Sequence, residues 1–463
     1  MNFKLKYLFV LIILLISITV KPQDTSSYVV VNKIILIGNK KTKDRIVFRE
    51  LSFSLNDTIN KKDVQSQITE SKNNLINTSL FNFVTIKYTI TDNKIDFTIN
   101  LEERWYLWPY PILEHADRNF SSFLHNRDWN RINYGIYFVK YNFRGRREIL
   151  KIKLRSGYKE QYSLIYSLPF IDKKQKNGID IQTYYFRQHE ISYNTINNQQ
   201  IFSKLENKYF SENFFQVISY NFRPRFFNTF NLQIGYNNIN VNDTIINLNN
   251  EYLFNNQTNM QYIFSKISFT KDLRNNKIYP LSGYYYNINL TKKGFGILSN
   301  FSMLQLYQDF RIYNKIYNRF YFQTRLAVKN IFLQKIPYYF QNALGYENYL
   351  RGYEYYVIDG NRYYLTRTNI KYEIIPTTKK VINIIPFDKF KKIHYALYTN
   401  IFFDSGYVNN DINTTTNYMQ NQFLYSYGIG FDFVTYYDKV FRIEYSINKF
   451  GTKGIFLHLS SSI

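Results

Sequence analysis

A strict alternation of apolar and polar residues runs through most of the chain from residue 132 onward, and it limits the folds that the chain can adopt. In Leu150–Arg155 and Phe230–Asn237 every second residue is apolar, and the residues between them are mostly polar or charged. The same period of two recurs in Phe320–Lys329 and Phe441–Ile447. Because successive side chains of a β-strand point to opposite faces, the pattern predicts strands with one apolar and one polar face.

Two architectures produce this alternation. In a soluble β-sandwich the polar face looks outward, whereas in a transmembrane β-barrel the apolar face meets lipid and the polar face lines the lumen. Three further features favour the barrel: an export signal, an aromatic content of 19% that suits membrane-interface belts, and the absence of cysteine. Residues 132–463 supply about 21 residues for each of 16 strands with its connection, which fits tilted membrane strands.

Residues 1–22 have the composition of a secretory signal peptide. Lys4 and Lys6 precede a nearly unbroken apolar run, Tyr7–Val20, which ends at Lys21–Pro22. This run is shorter than the roughly 20 residues that a spanning helix needs, although a retained anchor is the alternative. No later apolar run reaches roughly 18 residues, so any further membrane insertion is expected to use strands.

Composition also bears on partners and chemistry. The net charge is +25, but the basic residues are spread evenly and do not form the clustered patch that nucleic-acid binding requires. We therefore expect no nucleic acid as a partner, and we expect the basic residues to face anionic lipid headgroups or the lumen. The chain lacks cysteine, and its five histidines do not have helical ligand spacing, so we expect no metal site and no cofactor. A nucleophile with its base is not visible, and we expect no catalytic residues and no enzymatic activity.

Residues 28–104 mix the periods of helix and strand. Val30–Ile37 predicts a strand, and Val64–Leu75 is apolar at helical spacing after a shorter helical segment. Alternation then returns in Val84–Ile90 and Ile95–Leu101. The predicted order is β-α-α-β-β, which describes a small mixed domain.

This order resembles a POTRA domain. Gly38-Asn39 after the first strand, Leu80–Val84 before the second and Leu101–Arg104 at the end carry the resemblance. POTRA domains bind unfolded polypeptide by adding a strand to an open sheet edge. An unrelated small α+β domain is the alternative. The resemblance implies a client-binding strand edge with the residues Val84, Ile86 and Tyr88.

The rest of the chain resembles the outer-membrane barrel of the BamA/TamA superfamily. The motifs that carry the resemblance occur in the order of that family: Asn142–Gly145, Leu168–Phe170, Lys271–Arg274, Pro280–Gly283, Gly345–Glu373 and Phe402–Gly406. The resemblance implies a mainly β protein with a 16-stranded antiparallel transmembrane β-barrel at 132–463. A linker and entry to the barrel at 105–131 would join the barrel to a periplasmic POTRA-like domain, and the protein would lie in the bacterial outer membrane.

Leu350-Arg351-Gly352-Tyr353 lies in the segment that resembles the family's sixth extracellular loop, which folds back into the lumen. The resemblance implies that Arg351 pairs with Asp404 of the Phe-x-Asp strand. A buried guanidinium needs a carboxylate, because an unpaired buried charge is strongly destabilising. A solvated loop arginine is the alternative. The predicted loop lock consists of Arg351, Gly352, Tyr353 and Asp404, with Glu373 and Glu444 as secondary partners.

The resemblance implies a protein insertase or translocase that assists the assembly of β-barrel proteins. Its expected partners are outer-membrane lipid, unfolded client polypeptides in the periplasm and accessory assembly proteins. Ile132–Asn142 and Gly454–Ser462 would be the first and last strands, between which a client is templated. The single POTRA-like domain and the ending Ser461-Ser462-Ile463 depart from the general assembly factor. A single-client polypeptide or surface-lipoprotein exporter and a passive pore are therefore kept as alternatives.

Overall fold

The computed structural model describes residues 27–115, 132–204, 208–333, 335–384, 391–411, 416–435 and 439–460. The predicted signal peptide and most of the predicted linker lie outside these residues. No helix in the described part of the chain is long and apolar enough to cross a bilayer.

The N-terminal domain is a four-stranded sheet covered by two helices. Its elements are β1 (Tyr28–Ile37), α1 (Asp44–Phe48), β2 (Thr58–Asn60), α2 (Val64–Asn77), β3 (Phe81–Thr91) and β4 (Lys94–Glu103). The order in the sheet is β2-β1-β4-β3, with β1 parallel to β4. The predicted β-α-α-β-β order is confirmed, and the structure adds the three-residue strand β2.

The core of this domain follows from the two periods in its sequence. Val64, Ile68 and Leu75 recur at helical spacing and are buried on one face of α2. They belong to the same cluster as Phe97 of β4, whose ring stacks on Phe53 with 4.0 Å between the centroids. The amphipathic helix therefore closes one face of the sheet.

The barrel sheet has sixteen strands, as predicted. After β5 (Leu107–His115) come β6 (Ile132–Phe143), β7 (Glu148–Gly157), β8 (Lys159–Leu168), β9 (Asn177–Gln188), β10 (Glu190–Ile196), β11 (Gln199–Lys204), β12 (Ser211–Arg225), β13 (Asn228–Val241), α3 (Asp243–Leu248), β14 (Asn259–Asp272), β15 (Gly283–Lys293), β16 (Met303–Tyr317), β17 (Phe320–Phe332), β18 (Asn342–Leu344), β19 (Ile358–Asp359), β20 (Arg362–Val381), β21 (Lys392–Asn409), β22 (Phe423–Thr435), β23 (Lys439–Asn448) and β24 (Lys453–Ser460). The hairpins β10–β11 and β18–β19 belong to loops, and every other strand from β5 to β24 joins the barrel.

The barrel begins earlier than the sequence analysis predicted. Strand β5 lies inside the segment 105–131, for which the sequence predicts a linker and entry to the barrel, and it pairs with β6 along its whole length. The first strand is therefore β5, and the prediction of Ile132–Asn142 for that position is wrong. Pro109 and Pro111 lie within β5, which is one of the two end strands of the sheet. Proline has no amide hydrogen to donate to a ladder, and it is therefore tolerated mainly on edge strands, where one side of the backbone has no neighbouring strand.

The alternation of the sequence separates the two faces of the wall. On β23 the side chains of Phe441 and Ile443 are about half exposed on the outside, whereas Arg442 and Glu444 are buried inside. An outward apolar face and an inward charged face are the arrangement of a membrane barrel, and the opposite of a soluble sandwich.

Candidate functional site in the barrel lumen

The lumen loop, residues 335–361, connects β17 to β20 and packs inside the barrel. Leu350 and Tyr353 are almost fully buried, and they share an apolar cluster with Leu365 of β20, Val408 of β21 and Leu424 of β22. Burial of these side chains holds the loop against the inner wall. The loop therefore presents its one arginine, Arg351, to the polar inner faces of neighbouring strands.

Arg351 pairs with Asp404 in a bidentate geometry. Its Nε donates to Asp404 Oδ2 at 2.7 Å, and its Nη2 donates to Oδ1 at 2.5 Å. The third nitrogen, Nη1, donates to Asn369 Oδ1 at 2.7 Å and to Glu444 Oε1 at 3.0 Å. Phe402 lies flat beneath the guanidinium, 3.7 Å from its carbon to the ring centroid. One loop residue is thus bound to three strands, β20, β21 and β23.

Gly352 and Tyr353 fix the backbone on either side of this contact. Gly352 has φ +82°, a conformation that glycine adopts without a steric penalty, and its carbonyl accepts a hydrogen bond from Asn448 Nδ2 at 2.8 Å. The Tyr353 hydroxyl donates to the carbonyl of Tyr425 at 3.0 Å. The motif therefore bonds the loop to β22 and β23 in addition to the arginine contact.

The two secondary partners behave differently. Glu444 contacts Arg351, but Glu373 does not pair with it among the described residues. Glu373 instead accepts hydrogen bonds from the hydroxyls of Tyr398 at 3.1 Å and Tyr321 at 3.4 Å. The prediction that Glu373 belongs to the lock is therefore wrong, because its place along β20 puts it beside tyrosines of β17 and β21.

A second charge network, which the sequence analysis missed, lies farther along the same wall. Asp432 of β22 accepts from Arg442 Nε at 2.6 Å and lies 3.4 Å from Lys371 Nζ. It also accepts a hydrogen bond from the hydroxyl of Tyr279 at 2.7 Å. Tyr279 belongs to the turn between β14 and β15, so this turn reaches into the lumen. The only signal in the sequence was the polar alternation of each strand.

The lumen loop also contacts the last strand. His458 of β24 stacks on Tyr349 with 5.4 Å between ring centroids. Its Nε2 lies 3.6 Å from Glu354 Oε1 and 3.6 Å from Glu444 Oε2. The loop is therefore held at β24 as well as at β20 to β23.

The N-terminal domain docks on the turns that connect β6 to β7, β8 to β9, β12 to β13 and β14 to β15. We call these the domain-facing turns, residues 144–147, 169–176, 226–227 and 273–282. The amide of Lys43 donates to the carbonyl of Gly145 at 3.0 Å, and Asn77 exchanges hydrogen bonds with Asn275 and Lys277. Both α1 and α2 thus lie against the barrel.

Glu50 is the centre of this interface. Its carboxylate accepts from both terminal nitrogens of Arg223 at 2.9 and 3.1 Å, and it lies 3.4 Å from Arg49 and 3.4 Å from Arg147. Burial raises the pKa of the Glu50 carboxyl, but the guanidinium groups, chiefly that of Arg223, outweigh burial and lower the pKa from 4.5 to about 2. Glu50 is therefore an anion at any physiological pH.

The residues of the predicted client edge lie on β3. In the described part of the domain, β3 pairs only with β4, so no strand pairs with its other backbone edge. Val84 is buried in the domain core, whereas Tyr88 is substantially exposed. Phe83, at the start of β3, packs against Lys379 and His394 of the long β20–β21 hairpin. The open part of the edge thus begins beyond Phe83.

The barrel sheet has two end strands of its own. Its ladders join each strand to the next, and β5 and β24 are its ends among the described residues. The amide of Tyr141 donates to the carbonyl of Tyr106 at 2.7 Å, directly before β5. Alternate residues from Tyr106 onward therefore bond to β6, and the backbone nitrogens of Pro109 and Pro111 face the outer edge.

Comparison with known families gives this architecture a name. The POTRA model, described as surface antigen variable number repeat, matches residues 29–104. The model of the Omp85 superfamily domain matches residues 142–435, which is more than half of the chain. The chain belongs to the Omp85 superfamily. The resemblance inferred from its motifs is thereby confirmed, and an Omp85 barrel with a POTRA domain implies an outer-membrane barrel with that domain in the periplasm.

Two solved structures share the Omp85 fold with this chain. One is BamA from Haemophilus ducreyi lacking POTRA domains 1–3, with 15% identity and a TM-score of 0.53, covering 93% of this chain and 84% of that chain. The other is CdiB from Escherichia coli, with 10% identity and a TM-score of 0.54, covering 93% of this chain and 75% of that chain. A search of curated proteins found no match. At these identities the likeness shows the fold alone.

Proposed function

We propose that this Omp85 protein is an insertase or translocase of the BamA/TamA type that receives unfolded polypeptides in the periplasm and assists the assembly of β-barrel proteins in the outer membrane. The observation that carries the proposal is the unpaired edge of β3. An open edge presents backbone donors and acceptors in register, and an extended client adds to it as a further strand.

The barrel supplies a second surface for the same client. Its end strands β5 and β24 offer backbone edges beside lipid, where an unpaired amide is costly. A client strand that pairs there satisfies its own backbone and buries its apolar face in the bilayer. Strand pairing and burial drive this process, so the proposal needs no nucleotide, metal or catalytic residue.

A dedicated exporter of one polypeptide or of surface lipoproteins is the second candidate. It is favoured by the single POTRA match, because one domain offers a single short edge to bind clients. A passive pore is supported less well, since diffusion through a barrel does not need a periplasmic domain anchored to it at Glu50.

Photo-crosslinking in living cells tests these candidates. A crosslinking residue at Lys87 of β3 should capture unfolded outer-membrane proteins. The matched control is Thr98, which lies opposite Lys87 on β4, a strand paired on both sides. Capture of one secreted polypeptide or lipoprotein at Lys87 would support the exporter instead. Equal capture at Lys87 and Thr98, or none at either position, would contradict both proposals.

A further inference from the structure

A large polar cavity lies inside the barrel, beneath the loops on the side opposite the N-terminal domain. Its volume is about 1200 Å³. Strands β14 to β17 form one wall, and the lumen loop and the β10–β11 hairpin cover it. The cavity belongs neither to the Arg351 cluster nor to the interface around Glu50, and the proposed function makes no use of it.

Of the four lysines that line this cavity, three lie on separate strands of the β14 to β17 wall. They are Lys266 of β14, Lys293 of β15 and Lys329 of β17, and all three side chains are partly buried. Lys293 lies within electrostatic range of both others. Like charges held together away from bulk water repel each other, so their convergence destabilises the empty site.

The protein supplies little opposite charge to these lysines. Among the described residues none of the three forms an ion pair, and the carboxylate that acts electrostatically on all three is that of Glu347. Lys329 Nζ donates to the carbonyl of Asn342 at 2.6 Å, and Lys293 Nζ lies 4.7 Å from the ring centroid of Phe340. Four lysines and two carboxylates, those of Glu190 and Glu347, line the cavity, so the surplus charge is positive.

Neutral donors add to the lysines. Tyr262 and Tyr363 line the cavity, and each hydroxyl oxygen accepts a hydrogen bond from an asparagine, Asn237 at 2.7 Å and Asn348 at 2.9 Å. Each hydroxyl hydrogen is thus left to donate to another group. Several donors around a cationic centre match the acceptor oxygens of phosphate or carboxylate groups.

We propose that this cavity binds a small organic anion that carries two or more phosphate or carboxylate groups, with Lys266, Lys293 and Lys329 as its cationic ligands. A soluble anion fits better than a lipid headgroup. The lysines lie on the inner faces of the strands, whereas acyl chains pack on the outer faces, and the hydrogen-bonded wall separates the two.

Calorimetric titration of the detergent-solubilised full chain with pyrophosphate tests the proposal. We expect saturable binding with one anion per chain. Lys293→Gln and Lys329→Gln should each weaken binding about tenfold or more, because each removes a charged donor. Lys293→Arg keeps the charge and should retain most of the affinity.

Lys292→Gln is the matched control. Lys292 precedes Lys293 on β15, so its side chain points to the other face, and its Nζ donates to Ser302 Oγ at 2.6 Å. The affinity of the Lys292→Gln variant for pyrophosphate should equal that of the wild type. Heat-modifiability on gels checks that each variant folds, and Lys266→Gln repeats the test if Lys293→Gln does not fold. Absence of saturable binding to the wild type, or an unchanged affinity in the folded lysine variants, would overturn the proposal.

Discussion

Two of the buried charge clusters in this protein, those around Arg351 and Glu50, are built in opposite ways. In the lumen, one guanidinium, that of Arg351, gathers the carboxylates of Asp404 and Glu444 from two strands. At the interface with the N-terminal domain, one carboxylate, that of Glu50, gathers three guanidinium groups. Removal of either central residue leaves like charges facing each other.

The two clusters differ in how well water can compensate for such a loss. Asp404 and Glu444 are essentially inaccessible, with side-chain exposures of 0% and 1%. Arg223 and Arg147 keep 20% and 24%. Charges that reach solvent are screened when their partner is lost, whereas enclosed carboxylates are not. The lumen cluster should therefore tolerate substitution less well than the interface cluster.

The largest expected effect is that of Arg351→Ala. Two enclosed carboxylates would lose their shared cation, and we expect the barrel to be destabilised by about 3–5 kcal/mol. The temperature at which the band of the folded barrel disappears in a heat-modifiability gel measures this destabilisation. Arg362→Ala is the control, since Arg362 is the first residue of β20, directly after the lumen loop, but is exposed. Equal unfolding temperatures for both variants would contradict the lock.

A comparison of Asp404→Asn with Glu444→Gln divides the lumen cluster further. Asp404 binds Arg351 through both oxygens, whereas Glu444 uses one. We expect Asp404→Asn to lower the free energy of unfolding by about 3 kcal/mol and Glu444→Gln by about half as much. The same gel assay ranks them, and the reverse order would show that Glu444 is the main partner.

Glu50→Gln should have a smaller effect, of about 1–2 kcal/mol, on the docking of the N-terminal domain. Three guanidinium groups would then repel each other, but solvent reaches them. Hydrogen exchange in α1 and in the domain-facing turns should increase, while exchange around Arg351 stays unchanged. Asp92→Asn, in the exposed turn between β3 and β4, is the control. Faster exchange throughout the barrel would contradict a local role for Glu50.

The smallest expected effect is a dependence of docking on pH. The folded pKa of Glu50, about 2, lies below its ordinary value of 4.5. A lowered pKa gives a stabilisation that is fully present above pH 4.5 and is lost as the pH falls toward 2. Protection of α1 from hydrogen exchange should decline in this window for the wild type and remain flat for Glu50→Gln. Identical profiles would assign the acid response to another group.

The sequence predicted what depends on local pattern or on a family motif. Alternation identified the strand faces, and the Leu-Arg-Gly-Tyr and Phe-x-Asp motifs placed Arg351 near Asp404. The contact of Asp432 with Tyr279 was not predictable, because the two residues are far apart in the chain and alternation identifies the face of a strand but not the partner of a side chain. The same holds for Glu50 and Arg223, whose contact depends on how two domains dock. Strand β5 was not predicted because it contains Pro109 and Pro111, and proline is rare in a strand except at an edge.

Those two prolines have a consequence for the closure of the barrel. Every strand that pairs with the outer edge of β5, whether β24 or a client, finds two successive positions without an amide hydrogen. Each missing bond forgoes about 0.5–1.5 kcal/mol of net stabilisation, and more beside lipid. A seam at β5 therefore forms fewer backbone hydrogen bonds than a seam between strands without proline, and two residues set this difference.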